Sequence, residues 1–432
     1  MKTKIINLYL LLLRGLAKSQ LAKNKPLIIG ITGSAGKSSC TQLVASTLSE
    51  NFNVKYTKKG NSETGIPFEI LNIPVKNYSA LDWLLILFKG FYQVIFNWET
   101  YSILVVEMGI DSDQAPKNMT TLLKIVSPDI GVLLNANSVH LGNFKGPKEV
   151  QTIANEKAKL LFDLPKNGLA IINADQPEFK LLNKKIKAKI KNFSIKKNTD
   201  IKLINHKVSL DGTFFEFIYK DISYKLNFKN KLIFKEAFGS FAATFLIADF
   251  LGIKPHQIIK DIEKNFKVLP GRGIILQGIN NSIIIDSSYN SSLEPTSASL
   301  RLLHELKNKN NRTIALLGDM RELGQMAKKD HQRLEKIALK SADLIYTVGP
   351  LTNKYFANSR IRKYINPFSI IEDLKNELKK GDILLVKGSQ NTILLELVIK
   401  EILKNNSDVK LLCRQTPYWD QQRDKIKKEA IS

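Results

Sequence analysis

The sequence predicts an α/β protein, and three observations carry that expectation. Short apolar runs bounded by turn residues recur along the chain, as buried strands do. Segments with helical spacing of apolar residues separate them, which argues for a mostly parallel sheet. The first run, Leu-Ile-Ile-Gly-Ile-Thr at residues 27–32, passes through a Gly-rich turn directly into one such helical segment. At 432 residues the chain exceeds one ordinary core and suits two or three domains. A hydrophobic fraction of 44% and a charged fraction of 24% exclude the disordered and fibrous classes.

Taken in order, residues 1–25 read as an apolar and basic helix. The apolar stretch 5–13 has a basic start but no small-residue cleavage site, which argues against a secretory signal. A second apolar stretch, 83–96, is interrupted by Lys89 and Gln93. Both fall short of the roughly 20 residues a spanning helix needs. The first is expected to pack on the body, with peripheral attachment to a membrane surface as the alternative, and the second favours contact with a lipid-linked molecule.

A central domain is expected over 26–270, with strands at 27–32, 102–106, 130–134 and 169–172 and a helix at 38–50. The run 184–191 alternates Lys with apolar residues, as a strand with one solvated face or a charged edge does. Residues 197–234 alternate in short strands like a small antiparallel flap. Pro270-Gly271-Arg272-Gly273 is the expected linker. Strands at 282–286, 313–317, 344–348 and 383–386 then build a second α/β layer over 271–432. The tail Arg414-Gln415-Thr416-Pro417-Tyr418-Trp419 is expected to pack on it. The fold class is thus a central P-loop domain with a mostly parallel sheet plus a C-terminal Rossmann-like α/β domain.

The formal charge of +25 admits nucleic acid, an anionic membrane or a phosphorylated substrate as partner. Lysines spread along the whole chain without interleaved aromatics argue against nucleic acid. Two cysteines, Cys40 and Cys413, form no disulfide or metal framework, which fits a reducing cytoplasmic compartment.

The chemistry gathers at three strand ends. Gly33-Ser34-Ala35-Gly36-Lys37-Ser38-Ser39 opens the helix at 38–50, where backbone N–H groups and the helix dipole favour phosphate. Lys37 would reach the terminal phosphates and the Ser38 hydroxyl would bind Mg²⁺. A strict Walker pattern wants Gly where Ile31 stands, so strand, loop and helix context carries the reading. Glu107 ends the apolar run Val105-Val106-Glu107, at the strand end where α/β sheets bind ligands. A hard-cation ligand is favoured there over a solvated carboxylate. His140 follows the 130–134 strand on the same side, and is read as functional in this company although a lone histidine is usually structural.

These residues together resemble the Mur ligase family, which builds the peptide of the bacterial cell wall, and most closely its members that add D-alanyl-D-alanine. The resemblance covers residues 26–396. It runs through Thr32 to Ser39, Gly60-Asn61, Thr64-Gly65-Ile66-Pro67, Glu107-Met108-Gly109, His140-Leu141, Phe144 and Asn155-Glu156-Lys157-Ala158-Lys159. It continues through Asn173-Ala174-Asp175, Asp286, Tyr289-Asn290, Leu317-Gly318-Asp319-Met320, Glu322-Leu323-Gly324, His331 and Lys387-Gly388-Ser389.

The resemblance implies an ATP-dependent amide ligase in which a carboxylate becomes an acyl phosphate and is then attacked by an amine. It implies two Mg²⁺ ions, the first at Ser38 and the second served by Glu107, His140 and Lys157, with Lys157 N6-carboxylated. A carbamate would turn a repelling cation into an anionic oxygen ligand. Arg272, Asp286, Tyr289 and Asn290 are implied as ATP-binding positions of the C-terminal domain. The implied substrates are a muramoyl-peptide and D-alanyl-D-alanine, and a monomer is expected.

Departures leave the acceptor less determined. With the phosphate loop already at Gly33, the family's front domain for a uridine nucleotide is expected to be missing. A His- and Asn-rich family motif appears as Glu236-Ala237-Phe238-Gly239-Ser240, which puts adenine contacts in doubt. Ser287, Lys159 and Gln390 replace a frequent Asp, Glu and Arg. A Mur-type ligase with a lipid-linked, folate or polyamide acceptor, and a non-catalytic nucleotide-binding protein, are the competing readings.

Overall fold

The computed structural model describes residues 2–58, 60–74, 80–136, 149–179, 182–321, 323–388 and 393–431. The chain divides into two compact units. The first comprises Met1–Ile204, Glu216–Leu226 and Ala237–Phe266, and the second Asn205–Phe215, Asn227–Glu236 and Lys267–Ser432.

The first half of the chain supplies strands β1 (Leu27–Thr32), β2 (Val54–Tyr56), β3 (Ile103–Glu107), β4 (Ile130–Leu133), β5 (Leu169–Asn173), β6 (Lys189–Ser194), β7 (Ile201–Ser209), β8 (Gly212–Tyr219) and β9 (Ile222–Lys229). They form one sheet in the order β2-β3-β1-β4-β5-β6-β7-β8-β9. Pairings from β2 to β7 are parallel. Strands β1, β3 and β4 are buried throughout apart from half-buried Leu27, which is why they read as continuous apolar runs rather than alternating ones.

The helices of this unit are α1 (Lys2–Asn24), α2 (Lys37–Leu48), α3 (Gly65–Ile70), α4 (Ala80–Phe96), α5 (Met119–Leu123), α6 (Glu149–Phe162), α7 (Phe238–Phe250) and α8 (Pro255–Asn265). Register places Ile31 beside Glu107 and Thr32 beside Leu133. The carboxyl ends of β1, β3 and β4 therefore meet at one sheet edge.

Two expectations need correction. The lysine run 184–191 is not one strand: Asn183–Lys185 forms a 3₁₀ turn and the strand starts only at Lys189. Nor is it an edge, because β6 pairs with β5 and, at Phe193 and Ser194, with β7. The strands of 197–234 are likewise no separate flap. Two-residue turns make β7, β8 and β9 antiparallel to one another, but they continue the central sheet.

The second unit holds β10 (Ile274–Gln277), β11 (Ile283–Ser287), β12 (Thr313–Gly318), β13 (Leu344–Val348), β14 (Ile361–Tyr364) and β15 (Ile383–Lys387), in the order β10-β11-β15-β12-β13-β14. Only β10 is antiparallel to its neighbour. Its helices are α9 (Leu293–Glu305), α10 (Ala327–Ser341), α11 (Pro350–Tyr355), α12 (Ile371–Glu377), α13 (Glu396–Ile402) and α14 (Pro417–Ile431). Alternate residues of β12 and β15 enter two apolar cores: Leu316 and Val386 join one with Tyr346, Leu317 and Leu385 the other with Leu334.

Candidate active site

Gly36 caps α2 with φ +81°, a left-handed conformation that favours glycine and turns the chain into the helix. A side chain at Gly33 would approach Leu134 Cβ to 3.1 Å, so the loop lies close on the strand beside it. Ser38 and Ser39 sit half-buried in the first turn of α2, with Lys37.

The loop's shape comes from a residue that local sequence pattern does not single out, Asn135. Asn135 Oδ1 accepts from the Ser34 and Ala35 N–H groups at 2.9 and 2.8 Å, and its amide donates to Ala35 O at 3.0 Å. An Asn directly beyond a buried strand, facing a Gly-rich turn, was the available signal.

Two lysines converge on one oxygen. Lys37 Nζ donates to the Gly33 carbonyl at 2.9 Å, and Lys157 Nζ, from the middle of α6, donates to the same carbonyl at 3.2 Å. Lys157 is buried. That burial, reinforced by the Lys37 charge, holds its amine well below the ordinary lysine range, against opposition from Asp111 and Glu156. A neutral amine is the form that adds CO₂.

Glu107 is buried at the end of β3 and accepts from Asn61 Nδ2 at 2.9 Å. Gly109 N–H donates to Asn61 O at 2.8 Å, tying the Gly60-Asn61 and Glu107-Met108-Gly109 segments together. A side chain at Gly60 would come within 2.2 Å of Gly65 O, which accounts for both glycines of that turn. His140 lies outside the described residues. Among the described residues no three His, Cys, Asp or Glu side chains gather as a metal cage. A hard cation takes oxygen donors, and the Glu107 carboxylate and the Ser38 hydroxyl are donors of that kind.

The candidates of the second unit form their own cluster at the ends of β11 and β15. Asp286 is fully buried; its Oδ1 accepts from Ser288 N–H at 2.9 Å, and its Oδ2 has no hydrogen-bond partner among the described residues. Desolvation pushes its carboxyl upward. Lys387, one register step away, donates to Ser287 O at 3.3 Å and to Asn290 O. Burial and the neighbouring Arg272 charge lower its amine to about 7.

Tyr289 lies under two guanidinium groups, Arg272 at 4.8 Å and Arg414 at 5.1 Å from its ring centre. Arg414 also donates to Tyr289 O, and pairs with Glu396 at 3.2 Å with both side chains almost wholly buried. Asn290 is exposed and accepts from Ser291 N–H through its side chain. The tail thus packs through Arg414.

Other sequence markers serve the scaffold. Asp319 accepts from the N–H groups of Leu351 and Thr352 at 3.0 and 2.7 Å, fixing the start of α11. His331 bridges Met320 N and Ala327 O.

Family comparison matches residues 31–235 to the Mur ligase middle domain and 271–390 to the Mur ligase, glutamate ligase domain. The UDP-N-acetylmuramoyl-tripeptide–D-alanyl-D-alanine ligase of Bacillus subtilis is 24% identical over 402 residues, covering 91% of this chain and 79% of its own. The enzyme of that name from Buchnera aphidicola of Acyrthosiphon pisum is 28% identical over 397 residues, covering 89% and 78%. The crystal structure of MurF ligase from Thermotoga maritima in complex with ADP superposes with a TM-score of 0.75 at 23% identity, over 93% of this chain and 84% of that one.

Proposed function

The chain belongs to the Mur ligase family, and from that premise we propose that it joins D-alanyl-D-alanine to a muramoyl-tripeptide at the expense of ATP. The observation that carries the site assignment is the convergence of Lys37 and Lys157 on the Gly33 carbonyl. The Lys37 amine stands there at the N-terminus of α2, where a phosphate chain is favoured, and the buried Lys157 amine beside it is held toward its neutral, CO₂-reactive form.

In this reading ATP lies on Gly33, Ser34, Ala35, Gly36, Lys37, Ser38 and Ser39. A substrate carboxylate oxygen attacks the terminal phosphorus, the bond to the bridging oxygen breaks, and ADP leaves with that electron pair. Lys37 offsets negative charge on the transferring group. The amine of D-alanyl-D-alanine then adds to the acyl carbon, and the tetrahedral intermediate expels phosphate and loses a proton to give the amide.

Mg²⁺ bound at this site supplies charge neutralisation for the phosphate oxygens. Ser38, Glu107, His140 and a carboxylated Lys157 are the proposed ligands. The depressed amine of Lys157 supports the carbamate, because the neutral form is the nucleophile toward CO₂. Arg272, Asp286, Tyr289 and Asn290 are proposed as ATP-facing residues. The exposed Tyr289 and Asn290 suit direct contact, while buried Asp286 suits support of the turn that carries them. A monomeric state, a cytoplasmic location and a peripheral membrane contact belong to the same reading.

The test is a ligation assay with purified protein, Mg-ATP, a UDP-muramoyl-tripeptide and D-alanyl-D-alanine. The expected result is one phosphate released per amide formed, with the product's mass equal to the sum of both substrates less water. Absence of product with this pair, alongside product from a different acceptor, would overturn the substrate assignment.

A further inference from the structure

We infer that α1 and α4 together form a docking surface for the headgroup region of an anionic phospholipid bilayer, which gives the peripheral contact of the proposed function a place and a lipid class. The two helices pack on each other closely. A side chain at Gly90 would meet Leu16 Cδ1 at 2.8 Å, and Leu13, Leu16 and Ile86 share a core with Phe68 and Leu71. Tyr9 meets Trp83 edge-on at 4.9 Å.

That packing uses one face of α4. The opposite face presents Leu84, Leu85, Phe88, Phe91, Tyr92, Ile95 and Phe96 to solvent, Leu84 at 69% and Phe88 at 72% exposure. Their spacing of three and four residues makes one continuous stripe along the helix. Trp98, 71% exposed, extends it past the helix end, and Ile6, Leu8, Leu11 and Leu12 add exposed apolar area on α1. An apolar stripe of this extent marks an interaction site.

Charge selects the partner. Among their described side chains the two helices carry Arg14, Lys18, Lys23 and Lys89 against a single acid, Asp82, within a chain of net charge +25. A second copy of so basic a surface would be repelled, whereas anionic headgroups would attract it. Lys89 is exposed on α4 itself, and Lys23 sits 4.4 Å over the Trp98 ring, an aromatic and cation pairing suited to the headgroup level. Among the described residues no helix is long and apolar enough to cross a membrane, so the mode is attachment in the interface plane.

The experiment is flotation of the full chain with phosphatidylglycerol-containing vesicles and with phosphatidylcholine vesicles. The protein is expected to float with the anionic vesicles, to stay behind with the neutral ones, and to be released by added salt. Leu84→Glu with Phe88→Glu is expected to lower the bound fraction by roughly tenfold or more, and Lys18→Glu with Lys89→Glu to lower it without removing apolar area. Both variants are expected to keep the ATP-dependent ligation rate, which separates this surface from the proposed chemistry. Failure to float on anionic vesicles, or equal flotation on neutral ones, overturns the inference. A dimer dissolved by Leu84→Glu with Phe88→Glu would then identify a second copy as the occupant.

Discussion

Two strand-end turns, one in each unit, carry the candidate ligand-binding residues, and they are built on opposite electrostatic plans. After β1, the Lys37 and Lys157 amines crowd one backbone carbonyl, that of Gly33. After β11, the cations are committed to internal partners: Lys387 to the carbonyls of Ser287 and Asn290, Arg414 to Glu396 and Tyr289 O. The first turn sets the Lys37 amine at the N-terminus of α2, a combination receptive to an anion. The second engages its cations with a buried carboxylate and backbone carbonyls and leaves Tyr289 and Asn290 exposed. A basic residue near a strand end is therefore not one kind of evidence, and its partners decide its meaning.

The sharpest way to break this contrast is Lys37→Ala. It is expected to cut the ligation rate by about 10³-fold, about 4 kcal/mol of transition-state stabilisation, while leaving the unfolding midpoint unchanged or raised. Initial rates and denaturant unfolding of one preparation give both numbers. A loss of activity below tenfold would place the anion site elsewhere.

Arg414→Met acts on the second turn and should show the reverse pattern. Removing one partner of a buried pair leaves Glu396 as an uncompensated charge, an effect of about 3 kcal/mol on unfolding. The companion double variant with Glu396→Leu is expected to recover most of that loss. If the double variant stays as unstable as the single one, the pair is not what holds the turn.

Asn135→Ala comes next. It removes the side-chain acceptor that the Ser34 and Ala35 N–H groups share, while Ser34 N–H keeps the Asn135 backbone carbonyl, with an expected effect of about 1.5 kcal/mol. Because the same loop is proposed to hold phosphate, the effect should appear mainly as a rise of about tenfold in the KM for ATP. An unchanged KM with lowered stability would make Asn135 a purely structural brace.

How much of this was readable beforehand follows from range in sequence. The Gly-rich turn before α2, the buried strand that ends at Glu107 and both α/β layers were legible because each is local: a buried apolar run, a turn, a strand end. The lysine run 184–191 misled because alternation reports one solvated face and not which neighbours a strand acquires. Asn135 and Arg414 were visible as letters but not as roles. Asn135 acts on a loop 100 residues earlier and Arg414 on Tyr289, 125 residues away, and no local pattern encodes such pairings. The stripe on α4 was legible as an apolar stretch but not as a face. It does pack, through Ile86 and Gly90, but apolar residues all round a helix cannot say which face a neighbour covers.

The smallest effect concerns a marker residue that proves to belong to the scaffold. His331 is buried, its Nε2 accepts from Met320 N–H at 3.2 Å, and its Nδ1 therefore carries the proton donated to Ala327 O at 2.7 Å. Burial lowers its pKa below 6.5, with Asp319 and Asp330 opposing. Below 6.5 the unfolded chain takes up a proton that the folded chain resists. The ring's contribution to stability is therefore complete above that pH and is lost as pH falls through the folded value. His331→Gln keeps an acceptor for Met320 and removes the titration, so its stability should fall less steeply from pH 6.5 to 5 than that of the parent chain, by roughly 1 kcal/mol. Denaturant unfolding at stepped pH reads this directly. Parallel curves for the two proteins would mean that the ring titrates alike in the folded and unfolded chains, and a parent that falls less steeply than the variant would make His331 a charged partner of Asp319.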